Sequence, residues 1–458
     1  MKIPKYLYQK YNQPTPRYTS YPPANYFKEA TDYESMVKAI VNSNFENPEN
    51  ISIYIHIPFC GQLCTYCGCN TLITSNKTLM DKYVASLLKE IDLLKTLLNN
   101  KRKISQIHWG GGTPNYLPVE NIKVIMNKLY DSFEAIANPE IAMECHPAHL
   151  TKNYVDELVK LGFNRLSFGI QDFDNKVLET VNRQKPLLPV DEIIAHIQSY
   201  SHVSLNLDFI YGLPFQNLSG YEQTIERAVS LSPDRLAVFS YAHVPWLKKQ
   251  QKGLEKFGLP GAEEKIALFE KAYDILTAAT YKPIGLDHFA KPHDELSIAL
   301  KNKRLHRNFQ GYCTLETTGQ VYALGVSGIS QLASAYLQNT KSITKYMKAI
   351  DNGVFPIEKF YFVNDDEKLI REIIEQIMCN MYVDFKNLAI QTNRSIDEIY
   401  AVTQVDFNVL KDFEQEGLLT FVNDILELTR TGQFFLRNIA AAFDPNMKNN
   451  RKSFSKAI

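Results

Sequence analysis

The sequence predicts an α/β protein: a partial, TIM-like (βα)6 barrel, preceded by an N-terminal extension and followed by a mainly helical, winged-helix-like C-terminal domain. Three observations carry this. Six short strands rich in β-branched and aromatic residues alternate with helical stretches between Ile51 and Tyr241. Each chemistry-bearing motif follows one of those strands, where barrel proteins keep their chemistry. Beyond about residue 345 the pattern turns helical.

The expected strands are Ile51–Ile57, Ile104–Trp109, Glu140–Cys145, Arg165–Ile170, Ser204–Ile210 and Arg235–Tyr241. Between them Leu79–Leu97, Val119–Phe133, Thr151–Leu161 and Tyr221–Leu231 repeat apolar residues every three or four positions. Six such units in series argue for parallel strands with helical crossovers. Residues 1–48 form a Pro- and Tyr-rich N-terminal segment, 49–345 the barrel and its extension, and 346–458 the helical domain. In the last, helices at Asp366–Met381, Ser395–Val402 and Phe407–Glu416 precede two short strands and a helix, Thr431–Ala441. No strand or helix pattern anchors residues 1–25, so they are expected to order over the barrel mouth when substrate arrives.

The chain has 458 residues, 45% of them apolar, enough for a large core. Lys+Arg and Asp+Glu both number 50, so no global charge draws it to nucleic acid or an anionic membrane. Acidic residues outnumber basic ones in the last hundred, which weakens a DNA-binding reading of the winged-helix pattern. No apolar run reaches the length of a membrane span, and the start lacks a signal h-region. Clustered thiols that must stay reduced suit the cytoplasm. A monomer is expected.

Four cysteines fall within ten residues, Cys60, Cys64, Cys67 and Cys69, spaced C-x3-C-x2-C-x-C directly after the first strand. Thiolates this close converge on a metal or cluster, since a disulfide framework would spread its half-cystines through the fold. Iron–sulfur clusters use such short loop spacings. A zinc knuckle is the rival, but zinc sites usually pair C-x2-C units across a longer stretch, and no distant second pair exists here. Cys145, Cys313 and Cys379 are scattered singles, expected as small buried apolar residues.

Gly110-Gly-Gly-Thr-Pro114 follows a strand and precedes a helix. One glycine would satisfy a tight turn; three suggest a ligand approaching the backbone where a Cβ would clash. Glu144 closes its strand as an ordinary strand-end carboxylate would. His146 beside it is expected to be a solvated loop histidine. His56 lies two residues after Tyr54, so both share a strand face; a satisfied core histidine is the plain reading, an active-centre role the sharper one.

The C-x3-C-x2-C motif with Tyr66 before its third cysteine resembles the signature of the radical S-adenosylmethionine (SAM) enzymes. The fourth cysteine and Tyr54-Ile-His56-Ile-Pro58-Phe narrow the match. So do His108-Trp-Gly110-Gly-Gly-Thr-Pro114, Asn164-Arg-Leu-Ser-Phe-Gly-Ile-Gln171-Asp and Asp208-Phe-Ile-Tyr-Gly-Leu-Pro214. With Gly285-Leu-Asp-His288-Phe-Ala290, His306-Arg-Asn-Phe-Gln-Gly-Tyr312 and Pro16-Arg-Tyr-Thr-Ser-Tyr-Pro22, the chain resembles the oxygen-independent coproporphyrinogen III oxidases from about residue 10 onward.

The resemblance implies a barrel of radical SAM type that decarboxylates two propionates of coproporphyrinogen III to vinyls, giving protoporphyrinogen IX in haem biosynthesis. Its cofactors would be a [4Fe–4S] cluster on Cys60, Cys64 and Cys67 and two SAM molecules. The first SAM would meet Gly111, Gly112, Thr113 and Glu144, with Tyr54, Tyr66 and Ile329 around its adenine and sulfonium; the second would meet Gln171, Arg183, Asp208 and Ala242. Cys69, His56 and Tyr54 are the candidate catalytic residues, the Cys69 thiol pointing away from Cys67 into the pocket. Arg17, His288 and Arg307, with Lys303 and Arg304, could meet substrate carboxylates. The implied partners are an electron donor such as a flavodoxin-type protein and an electron acceptor that the sequence does not name. A haem chaperone and a haem-directed radical SAM methyltransferase share the core; the fourth cysteine and the Pro16–Pro22 segment disfavour the first, the Gly285–Ala290 and His306–Tyr312 stretches the second.

Overall fold

A computed structural model describes residues 2–448 and 454–455. The chain divides into two compact units, Phe27–Glu264 with Glu316–Phe362, and Met1–Tyr26 with Lys265–Leu315 and Val363–Ile458. This division cuts across the expected boundaries at 48 and 345: residues 265–315 group with the two chain ends.

In the first unit six parallel strands lie side by side in chain order: β1 (Ile51–Ile57), β2 (Ile104–Gly111), β3 (Ala135–Cys145), β4 (Arg165–Gln171), β5 (Ser204–Tyr211) and β6 (Arg235–Ser240). β3 starts five residues earlier than the sequence suggests. Pro139 argues for a loop there, but a register shift against β2 absorbs it. On the far side of β1 the sheet continues with Gln320–Leu324, parallel to it, and then the antiparallel strands Ile329–Gln331, Ala335–Asn339 and Ile357–Phe362.

The crossover helices follow their apolar spacing. Lys77–Leu97 is capped by Asn76, whose side chain accepts from the Leu79 N–H, and it buries Met80, Tyr83, Val84, Leu87, Ile91 and Leu94 on one stripe. Val119–Ser132, Lys152–Lys160 and Leu218–Ser230 fall within a few residues of expectation. Two helices between β4 and β5, Asn175–Thr180 and Val190–Gln198, escape the sequence reading because they are short and separated by a Pro-bearing loop.

Glu90 lies on the buried stripe of Lys77–Leu97. Its carboxylate accepts from the Gly325 N–H at 2.7 Å, the Tyr346 hydroxyl at 2.6 Å and the Asn339 amide at 2.9 Å. It thereby ties the helix to the extension strands.

The second unit holds the helix Asp365–Asn380, opened by a capping box between Asn364 and Glu367, then Phe385–Thr392, Ile396–Thr403 and Phe407–Gln415. The hairpin Leu419–Val422/Ile425–Leu428 turns through Asn423 and Asp424, both at positive φ. Tyr382–Asp384 joins it as a third strand, completing the winged-helix pattern.

The N-terminal segment is anchored, contrary to expectation. Lys5–Tyr11 is helical, and Tyr11, Tyr18 and Tyr21 are buried in the core with Ile373, Phe413 and Phe435. The Tyr18 and Tyr21 hydroxyls donate to the two oxygens of Asp444, at 3.0 and 3.1 Å, and the Arg437 guanidinium donates to the carbonyls of Thr15 and Pro16. Tertiary partners hundreds of residues away hold this segment, which local periodicity does not register.

Burial pushes the Glu90 carboxyl up to about 7, although its three donors favour the ionised form. Between its ordinary value and about 7 the folded chain keeps a proton that the unfolded chain has lost, so stability falls as pH rises through that window, by roughly 3 kcal/mol. Urea unfolding at pH 5 and pH 7.5 should show this slope in the native protein and a flatter one in Glu90→Gln; equal slopes would remove Glu90 as its source.

Candidate active site

β1 ends at Ile57, and the cysteine loop starts at once. Phe59–Cys60 pairs in parallel with Leu72–Ile73, so a two-stranded clip closes the loop at its base. Inside it the Cys67 N–H donates to the Cys64 carbonyl at 3.1 Å, a tight turn. Cys60, Cys64, Cys67 and Cys69 all line one cavity of about 170 Å³. Its remaining wall comes from the ends of β2 to β5, through residues such as Gly111, Thr113, Glu144, Gln171 and Asp208.

The sulfurs have donors around them. The Thr113 hydroxyl is 3.3 Å from Cys60 Sγ, the Arg183 guanidinium 3.6 Å from Cys64 Sγ, and the Cys69 N–H 3.4 Å from Cys67 Sγ. Burial pushes the Cys60 thiol up to about 11. The Cys69 side chain and N–H pull Cys67 down to about 6, with Lys248 and Arg183 adding to the pull. Cys69 is raised in turn, first by Cys67 and then by burial. The expectation that the Cys67 and Cys69 thiols point apart is therefore corrected: the one-residue spacing folds Cys69 back onto Cys67. Cys145, Cys313 and Cys379 are buried as expected.

The glycine turn has a reason inside the protein. A Cβ on Gly110 would lie 2.9 Å from the Glu144 carboxylate, one on Gly111 2.7 Å from the His56 ring, and one on Gly112 2.7 Å from the Pro58 carbonyl. Gly111 also sits at φ +112°. With no side chains in the way, the Gly112 N–H donates to the Ile57 carbonyl at 2.7 Å and the Thr113 N–H to the Phe59 carbonyl at 2.9 Å.

His56 and Tyr54 share a face, as expected: the Tyr54 hydroxyl is 3.1 Å from His56 Nδ1. His56 Nε2 is 3.0 Å from the Asn70 carbonyl, so both ring nitrogens are occupied. The ring is buried under Gly111, and burial pulls its pKa down. His56 does not line the cavity; its ring packs under the Gly111 turn and bonds the far end of the cysteine loop. Tyr54 is not among the residues that line the cavity. Ala242 and Ile329 do not line the cavity either.

Glu144 is oriented by His108, whose Nε2 is 3.1 Å away. Asp208 accepts from the Ser167 hydroxyl at 2.8 Å and the Asn206 amide at 2.7 Å. Arg183 donates to the Tyr66 hydroxyl at 2.9 Å and to the Gly169 carbonyl. Gln171 sits at φ 71° at a register shift of β4. His146, expected as a solvated loop residue, lines the cavity and accepts from the Ala148 N–H at 3.1 Å; burial pulls it down to about 2. Asn115 holds its backbone through two hydrogen bonds.

The sequence reading missed a further group. Lys248 Nζ donates to the Cys69 carbonyl at 2.6 Å, Gln250 to the Cys67 carbonyl at 2.9 Å and Gln251 to the Tyr66 carbonyl at 2.9 Å. Their stretch, Val244-Pro-Trp-Leu-Lys-Lys-Gln-Gln251, carries no motif that spacing alone would flag.

Arg17, His288 and Arg307 belong to the second unit and come together there. Arg307 donates to the Arg17 carbonyl at 3.3 Å and lies over the Tyr312 ring, which the His288 ring meets edge-on. Burial would raise the Asp287 carboxyl, but His288 at 2.7 Å, with Arg307 and Arg17, holds it low. Lys303, by contrast, reaches the Asn380 carbonyl and the Tyr382 ring, a packing role.

The donor set fits an iron–sulfur cluster. Among the described residues no three His, Cys, Asp or Glu side chains converge on a point suited to a single metal ion. Cys60, Cys64 and Cys67 line one cavity with hydroxyl and N–H donors near their sulfurs, and these three would hold a [4Fe–4S] cluster.

The fold and this site define a radical SAM protein, and residues 54–228 match the radical SAM superfamily domain. Residues 363–435 match the HemN C-terminal domain. An oxygen-independent coproporphyrinogen III oxidase of Synechocystis is 41% identical over 99% of this chain and 97% of its own length, and that of Escherichia coli K12 is 35% identical over 99% and 98%. The solved structure of E. coli coproporphyrinogen III oxidase, a radical SAM enzyme, superimposes with a TM-score of 0.89 at 33% identity, covering 97% of this chain and all of that one. The chain belongs to the oxygen-independent coproporphyrinogen III oxidases, and it is an oxidoreductase whose superfamily works with a [4Fe–4S] cluster and SAM.

Gly111→Ala should destabilise the protein by about 2 kcal/mol or more, through the left-handed φ and the His56 collision. Pairing it with His56→Ala should recover the collision part only. Additive losses in that double-mutant cycle, read by urea unfolding, would mean the ring simply moves aside.

Proposed function

We propose that this enzyme oxidatively decarboxylates two propionate side chains of coproporphyrinogen III to vinyls, yielding protoporphyrinogen IX for haem synthesis in the cytoplasm. The observation that carries the reading is the gathering of Cys60, Cys64 and Cys67 with Gly111, Thr113, Glu144, Arg183 and Asp208 around one cavity. Among the described residues no helix is long and apolar enough to cross a membrane.

Cys60, Cys64 and Cys67 hold the cluster, and the donors from Thr113, Arg183 and Cys69 stabilise negative charge on their sulfurs. When bound, cluster and SAM together supply a 5′-deoxyadenosyl radical able to take a hydrogen from a propionate β-carbon. The chain's own work is to bind, aim and exclude. Glu144, steadied by His108, accepts from two ribose hydroxyls. The turn of Gly111, Gly112 and Thr113 receives the methionyl amino end; of the three residues expected around the adenine and sulfonium Tyr66 lines the cavity, and the adenine extends past that lining toward Tyr54 and Ile329.

A second SAM uses Gln171, Arg183 and Asp208, with Ala242 at its border. Of the five Arg183 N–H donors, three are committed to Tyr66, Cys64 and Gly169, which leaves two for a carboxylate. Asp208, held by Ser167 and Asn206, accepts from an ammonium. Cys69 is no ligand; its thiol lines the cavity for the second SAM or for passing a hydrogen or electron. Arg17, His288 and Arg307 meet substrate carboxylates, each charged hydrogen bond contributing about 1.5–3 kcal/mol. The acceptor of the leftover electron is a separate molecule, and the protein acts as a monomer.

Anaerobic incubation of reconstituted protein with coproporphyrinogen III, SAM and a strong reductant should give, by mass spectrometry, the loss of two carboxyl groups. Added methyls would indicate a methyltransferase, and unchanged porphyrinogen a chaperone. Cys60→Ser, Cys64→Ser or Cys67→Ser should each lose the brown chromophore and bound iron, while Cys69→Ser keeps both and loses turnover. Arg183→Ala should lower SAM stoichiometry from two to one by equilibrium dialysis, with saturation at one in the native protein counting against the second site.

A further inference from the structure

After β6 the chain forms a strap across the cysteine loop, residues 244–257, ending in the 3-10 helix Lys249–Phe257. Gln251 closes it, accepting from the Val244 N–H at 2.6 Å while donating to the Tyr66 carbonyl. Gln250 and Lys248 grip the carbonyls of Cys67 and Cys69. The strap is thus hydrogen-bonded directly to the backbone of the loop that presents the thiols.

Its outer side has a different character. Side chains three apart eclipse in a 3-10 helix, so the buried Gln251 and Leu254 share the inner face, while exposed Lys249 and Lys252 share an outer ridge. Lys256 is exposed beside them, and the one acid of the helix, Glu255, is paired with His243 at 3.0 Å. Trp246 and Leu247 are 63% and 72% exposed. The Phe257 ring, carrying Lys256, lies 5.8 Å from Phe215, which carries Lys176. Residues 244–257 thus hold four lysines against one acid, with Trp246 and Phe257 exposed beside them. Aromatic anchors with a charged rim are the anatomy of a protein-docking surface.

We propose that the strap is the docking surface for a small acidic protein that carries single electrons on a flavin or iron–sulfur centre. This rests on the cluster reading above and adds the partner's place. Each docking event moves one electron: the reduced carrier is oxidised by one, and the cluster held by Cys60, Cys64 and Cys67 is reduced by one. The lysines steer an acidic partner, and Trp246 and Leu247 give it an apolar seat. The strap's bonds to the Tyr66, Cys67 and Cys69 carbonyls tie the seat to the loop that would hold the acceptor.

The test uses the full-length protein with its cluster reconstituted, reduced flavodoxin as the probe, and the variant Lys249→Glu/Lys252→Glu/Lys256→Glu. Stopped-flow bleaching of the cluster by flavodoxin at low salt should slow about tenfold or more in the variant, and the gap should narrow at high salt. Lys249→Gln/Lys252→Gln/Lys256→Gln should fall between. Bleaching by saturating dithionite, and the cluster's absorbance before reduction, should match in all three proteins. Equal flavodoxin rates at low salt would overturn the proposal. So would slowing that dithionite shares, which would make the strap a support for the loop only, or a change of sedimentation coefficient at unchanged rate, which would make it a contact between copies. Native protein that takes up no [4Fe–4S] cluster would sink the functional reading and this one together; a normal cluster with an unaffected flavodoxin rate sinks this one alone.

Discussion

The end of β1 and the glycines that close β2 lie so close that no Cβ fits between them, and the cavity depends on that approach. Gly111 faces the His56 ring and Gly112 faces the Pro58 carbonyl, each leaving 2.7 Å for an atom that is absent. The approach permits two backbone hydrogen bonds, from Gly112 to Ile57 and from Thr113 to Phe59. Those bonds bring the Thr113 hydroxyl to the Cys60 sulfur. His56, bonded to Tyr54 on one side and Asn70 on the other, carries the same constraint to the far end of the cysteine loop.

Electrostatics in the loop follows from this packing. Cys60, the most buried of the cluster thiols, is pushed up, while Cys67, with Cys69 folded onto it and cations nearby, is pulled down. At Cys60 desolvation, helped by the neighbouring thiols, outweighs the Thr113 hydroxyl and the Arg183 charge; at Cys67 several donors and charges together outweigh it. A cluster bound on these thiols would take each of them as thiolate, so its binding would release protons.

The second unit is built on a comparable long-range dependence. Asp444, near the end of the chain, accepts from Tyr18 and Tyr21 near its start, and Arg437 holds the carbonyls of Thr15 and Pro16. Arg17 lies between these anchored residues, close to Arg307, and Arg307 stacks on Tyr312 beside His288. A segment that looks unstructured by local pattern is thereby a fixed platform for cationic side chains.

Sequence alone determined the six strands, most of their crossover helices, the cysteine loop and the ring of residues at the strand ends. The strands, helices and cysteine loop rest on local period, on β-branched composition and on short spacing between thiols, all of which act within a few residues, whereas the strand-end residues were legible only through the resemblance of their motifs to a known family. Only the tertiary structure decided that His56 packs under Gly111, that His146 lies half-buried in the cavity lining, and that Cys69 leans onto Cys67. It also decided that residues 244–251 clamp the loop and that Tyr11, Tyr18 and Tyr21 are core. Each of these depends on a hydrogen-bond partner or a void set by chain segments far apart in sequence. Burial and polar satisfaction are properties of the assembled neighbourhood, so no local pattern can carry them.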